Sequence, residues 1–138
     1  MKITQEFLKE KNACKKALEW GNHLVDKDSI EVLETLISSK KYEWANWLIV
    51  RVMSYKQYVR YAVYAAEQVI DIFEKKYPND NRPRLAIGAA KRCIDNPSDK
   101  NAADAAAYAA WAAARAARAA ADEMRLKILK YGVKLLEN

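Results

Sequence analysis

A chain of 138 residues, 51% of them apolar, is long enough to bury a core as one domain, and three glycines with three prolines are too few breakers for an all-β fold. The net charge of +6 favours an anionic partner (nucleic acid, a nucleotide or an acidic protein face) and selects none of them. Two cysteines without CxxC spacing and a single histidine exclude a structural zinc site, so no metal and no cofactor is expected.

The opening residues, Met1 to Glu6, contain no apolar core of a signal peptide, and the chain reads as cytoplasmic with reduced thiols. The first helix is expected from Thr4, as N-cap, to Trp20, with Gly21-Asn22 as its stop. Ile3, Phe7, Cys14, Ala17 and Leu18 share its apolar face, which makes Cys14 a small buried hydrophobe. His23 falls in the following loop as a surface residue. A second helix opens at Asp28 or Ser29, where Asp28 with Glu31 resembles a capping box, and buries Ile30, Leu33, Leu36 and Ile37.

Ser38 to Lys41 breaks that pattern. Residues 42–53, YEWANWLIVRVM, are apolar on nearly every side and read as a central helix. Within it Trp47 and Arg51 are i,i+4 neighbours, so the guanidinium can lie on the indole. Either Arg51 braces the core, or the pair is half of a binding site.

From Tyr55 to Tyr77 the spacing gives an amphipathic helix with Val59, Ala62, Val63, Ala66, Val69, Ile70 and Phe73 on its core face. A second row along it holds Arg60, Tyr64, Glu67, Asp71 and Glu74. Pro78 ends it, Asn79 to Pro83 is the clearest loop, and Pro83 suits the first turn of a helix reaching about Asp95. Its small-residue face takes in Leu85, Ala86, Ala89, Ala90, Cys93 and Ile94, and Gly88 admits a close neighbour.

The remaining stretch organises the rest. Fifteen of the twenty residues from 102 to 121 are alanine, and the exceptions Asp104, Tyr108, Trp111, Arg115 and Arg118, continued by Asp122 and Arg125, are separated by 4, 3, 4, 3, 4 and 3. That spacing places all seven in one row along a helix otherwise coated with methyls. It is no membrane span, because each charged residue would cost roughly 2.5–3.5 kcal/mol at a bilayer centre. Unbroken to Tyr131 the helix would be about 50 Å long, so a bend is expected near Asp122 or Gly132. The fold expected is all-α: one domain over 1–138, an antiparallel bundle of about six helices around a long Ala-rich helix at about 98–131.

The row Tyr108, Trp111, Arg115, Arg118 has three readings. It is a solvated strip, a network with the carboxylates Glu67, Asp71 and Glu74, or a groove of flat rings and bidentate donors for a base with phosphate or an acidic protein loop. As an enzyme the chain is weak. Glu67 and Asp71 form the one conceivable acid–base pair, with no nucleophile, phosphate loop or metal spacing beside them.

The run RYAVYAAEQVIDIFEKKYPNDNRPRLAIGAAKRCIDNP, the Ala/Tyr/Trp/Arg block after it, and the stretches ACKKALEW and YEWANWLIVRVM resemble a family of predicted immunity proteins. These are small all-α proteins of bacterial toxin–immunity loci, phages and other mobile elements, and the likeness covers about residues 5–125. The family carries an Arg-plus-Trp and a Glu-plus-Arg motif, which correspond here to Trp47 with Arg51, and to Glu67 with Arg60 or Arg92. The resemblance implies a non-catalytic, anti-defence or immunity role by binding a protein effector. A nucleotide or nucleic-acid binder using an Arg/Trp/Tyr groove is the alternative, and a small enzyme the least favoured. Binding residues are then expected among Trp47, Arg51, Arg60, Tyr64, Glu67, Arg92, Tyr108, Trp111, Arg115 and Arg118, with no membrane partner and self-association left open.

Overall fold

The computed structural model describes residues 1–96 and 122–138, and their regular structure is helical throughout. The helices are α1 (Gln5–Glu10), α2 (Lys15–Trp20), a 3-10 turn (Asn22–Leu24), α3 (Ser29–Ser38), α4 (Tyr42–Val52), α5 (Tyr55–Lys76), α6 (Arg82–Asp95) and α7 (Asp122–Glu137). No helix among the described residues is long and apolar enough to cross a membrane. The Ala-rich segment with Tyr108, Trp111, Arg115 and Arg118 lies outside the described residues. From Asp122 onward the expected helix is present, and it runs through Gly132 to Glu137.

The single first helix expected over residues 4–20 is instead two. Thr4 caps α1 by accepting from the Phe7 N–H at 3.2 Å, but Asn12 turns left-handed at φ 57°. The Asn12 and Ala13 N–H groups then close back on the Lys9 and Leu8 carbonyls, the double bond of a Schellman ending. Asparagine tolerates this conformation better than most residues with a Cβ. The break leaves Cys14 exposed at the N-cap of α2, not buried on a continuous apolar face.

Lys40 ends α3 in the same way, with φ 57° and the Lys40 and Lys41 N–H groups bonded to the Ile37 and Leu36 carbonyls. Lysine has no side-chain relief for that conformation. Lys40→Gly is therefore expected to raise stability by about 0.5–1 kcal/mol, the relief of a left-handed Cβ exceeding the extra freedom glycine has when unfolded. Chemical denaturation measures it, and a loss of stability would contradict the assignment. At the other end of α3, Asp28 caps by accepting from the Ile30 N–H at 2.9 Å, while Glu31 pairs with Lys27 in place of closing a capping box. Among the described residues a complete capping box is formed instead by Ser54 and Gln57, opening α5.

The core forms where α7 lies against α3, α4 and α5. Leu33, Ile49, Val59 and Leu129 are its largest fully buried side chains. Helix α5 runs antiparallel to α7: Gln57 Nε2 donates to the Leu135 carbonyl at 2.9 Å, the Tyr61 ring sits against Gly132, and Tyr64 stacks on Tyr131. It is also antiparallel to α6, tied by Glu74 to Arg84 and by Glu67 to Lys91. Sitting between neighbours, α5 buries Tyr61 and Ala65 in addition to the expected Val59, Ala62, Val63, Ala66 and Ile70.

One expectation for α6 is corrected. Leu85 points away from α5 and is 62% exposed, because the helix turns its Ile87–Ala90 side to the core. At Gly88 an added Cβ would meet, among the described residues, the Arg92 side chain at 3.8 Å. The close approach is at Gly132, where an added Cβ would fall 2.5 Å from Ile49 Cδ1 and 2.7 Å from Tyr61 Cε2.

Candidate functional site

Helix α4 needs its apolar residues on most sides, since it packs on α3 and α7, and this turns its remaining side outward with both of its tryptophans half-buried. The pairing of Trp47 with Arg51 expected from their spacing is present. The guanidinium carbon lies 4.1 Å from the centre of the Trp47 ring, and Nη1 donates to the Trp47 carbonyl at 2.7 Å. Partial burial pulls the Arg51 guanidinium below its ordinary value, yet it stays charged at any physiological pH.

The same face holds residues that the sequence reading passed over. Lys41, just ahead of α4, places its ammonium 5.0 Å from the Trp44 ring and 5.8 Å from that of Trp20. The Trp20 and Trp44 rings are 5.8 Å apart, and the exposed His23 meets Trp20 edge-on at 5.7 Å. Lys41, Trp44, Trp47 and Arg51 recur at 3, 3 and 4 residues, a signal that was legible in the sequence. The approach of Trp20 from α2 was not, since it depends on the break at Asn12.

The α5 candidates are used differently. Glu67 is held by Lys91 at 2.7 Å and Glu74 by a two-bond contact with Arg84, at 2.6 and 2.9 Å. One of the three readings paired these carboxylates with Arg115 and Arg118, which lie outside the described residues; their described partners are on α6. Tyr64 stacks on Tyr131 at 3.9 Å with the rings 14° apart. Arg60 and Arg92 are exposed and carry no ion pair among the described residues. Buried Tyr61 donates to Asn46 Oδ1 at 2.7 Å, and burial raises the pKa of its hydroxyl well above the ordinary value. No group of three or more His, Cys, Asp or Glu side chains gathers among the described residues to hold a metal ion.

The ion pairs at the α5–α6 end make acid sensitivity predictable. Asp80 accepts from the Arg82 side chain and backbone, which hold its pKa at about 2, and Arg84 lowers that of Glu74. Both folded values lie below the unfolded ones. The stability they contribute is therefore complete above about pH 4–5, the ordinary carboxylate range, and is lost as pH falls through the folded values. A carboxyl NMR titration should place Asp80 at about 2. In Arg82→Ala the midpoint should move up only part of the way, because the backbone N–H at position 82 still donates to Asp80 Oδ1. An unchanged midpoint would refute the pairing.

A family model described as Imm-5 like putative immunity protein matches residues 49–133. The chain belongs to this family. The match takes in Arg51, Arg60, Tyr64, Glu67, Arg92, Tyr108, Trp111, Arg115 and Arg118 and begins two residues after Trp47. It starts later and ends later than the resemblance read from the sequence. No curated protein and no solved structure matches the chain.

Proposed function

We propose that this chain is a non-catalytic immunity protein that neutralises an effector, a toxin or a defence component, by binding it directly. Family membership over residues 49–133 is the observation that carries this reading. Two features of the molecule support it. Glu67, the carboxylate that acid–base chemistry would have needed, is engaged by Lys91 as part of the α5–α6 hairpin. Arg51 lies over a face of Trp47, so a nucleobase stacking on that face would first have to displace a cation. Both features suit a surface for protein contacts better than a pocket for turnover or for a base. Native mass spectrometry of the protein purified from its own host tests the reading. A protein partner held at one to one is expected, and a bound nucleotide with no protein partner would overturn it.

A further inference from the structure

The face built by Lys41, Trp44, Trp47 and Arg51, with Trp20 beside it, carries two cations that rest on rings and, among the described residues, on nothing acidic. Lys15, Lys27, Arg82, Arg84 and Lys91 each pair with a carboxylate. Lys41 and Arg51 have no such partner among the described residues, and their charges lie over Trp20, Trp44 and Trp47. An indole attracts a cation only weakly at an exposed site and supplies no countercharge, so both cations keep their attraction for an anion. The rings also fix where they stand.

Trp44 and Trp47, the rings that carry these cations, also border an apolar indentation. They line a half-open cleft of about 60 Å³ together with Leu18, Leu24, Leu36 and Leu48. On a scale where one water needs about 10–15 Å³, that is room for a single aliphatic side chain and too little for a nucleobase. Every side chain lining the cleft is apolar apart from the indole N–H groups of Trp44 and Trp47, so it favours an apolar occupant over a polar one. The backbones of Lys41 and Arg51 are about 15 Å apart along the helix. Because their side chains lean inward to Trp44 and Trp47, the two charges stand closer than that, within reach of four or five residues of extended chain.

We infer that this face docks an acidic loop of the partner protein, one aliphatic side chain entering the cleft while carboxylates on either side of it meet Lys41 and Arg51. The inference rests on the reading that the chain binds a protein, and it names the surface and the chemistry of what is bound. The docked loop gains desolvated apolar contact at the centre and charge pairing at the rim, the usual division in a protein interface.

The test uses the indole N–H signals of Trp20, Trp44 and Trp47 in the full chain. The probe is a synthetic peptide with one leucine between two glutamates spaced to match, titrated to millimolar concentration. The signals of Trp44 and Trp47 should shift, and binding should weaken about tenfold in the double variant Lys41→Glu/Arg51→Glu and with added salt. A peptide with lysines in place of the glutamates should leave them unmoved. No shift, an equal shift with the basic peptide, or a shift with adenosine triphosphate alone would each overturn the inference. Circular dichroism establishes that the variant is folded, and Arg51→Lys, which keeps the charge, should retain most of the binding. Native mass separates the two levels of the argument. If the double variant holds the effector as tightly as the natural chain, this face is wrong and the immunity reading stands. If the natural chain holds no protein, the immunity reading itself fails.

Discussion

Replacing Leu129 by alanine should lower stability by about 3 kcal/mol and the melting temperature by roughly 10 °C. Leu129 is 2% exposed and belongs to α7, which is packed by α3, α4 and α5 together. Truncation removes the transfer energy of the lost methyls and leaves a cavity. Helices on three sides limit how far the site can collapse, and this keeps the cost within the usual range for a buried leucine. Denaturant unfolding measures it directly. A loss below about 1 kcal/mol would mean that α7 does not seat its apolar side in the core.

Gly132→Ala is the next largest effect, and its sign is the informative part. In the middle of a helix this change is ordinarily stabilising by about 1 kcal/mol. Here the new methyl would fall 2.5 Å from Ile49 Cδ1 and within 3 Å of two atoms of the Tyr61 ring. Neither neighbour yields easily. Ile49 is fully buried, and Tyr61 is held by its bond to Asn46. Overpacking should exceed the helix-propensity gain and leave a net loss of about 2 kcal/mol. The double variant with Ile49→Val, which deletes the Cδ1 methyl, should recover part of that loss. A stabilised single variant, or strict additivity in the double, would show that α4 and α7 do not approach as closely as described.

Period and punctuation made much of this fold readable before any coordinates. Helices α3 to α6 start and stop within a residue or two of where capping residues and Pro83 put them. Their cores follow the i, i+3, i+4 pattern. What escaped depended on one residue's backbone or on tertiary partners. Asn12 carries no mark that distinguishes a left-handed ending from a place inside a helix, so α1 and α2 read as one and Cys14 was assigned to the core. Gly88 and Gly132 look alike in sequence. Only the direction in which α7 faces its neighbours shows that Gly132 admits a close approach. The acidic row of α5 announced ion pairing, but nothing local separated Arg84 and Lys91 from the arginines further along as its partners.

The candidate site was legible in the same graded way. Trp47 with Arg51 follows from i,i+4 spacing alone, and the structure brings the two within 4.1 Å. Lys41 and Trp44 continue that spacing, although their significance appears only when α2 brings Trp20 and the apolar cleft alongside. That assembly requires four elements to meet, which no single stretch of sequence encodes.

The most direct test of the account is the growth of cells producing the effector recovered with this protein, in the presence and absence of the chain. Growth should be restored by the natural chain and equally by Glu67→Gln, since the account gives that carboxylate a structural partner and no chemistry. Cells that stay arrested in the presence of folded chain, or protection abolished by Glu67→Gln while binding persists, would contradict neutralisation by binding alone.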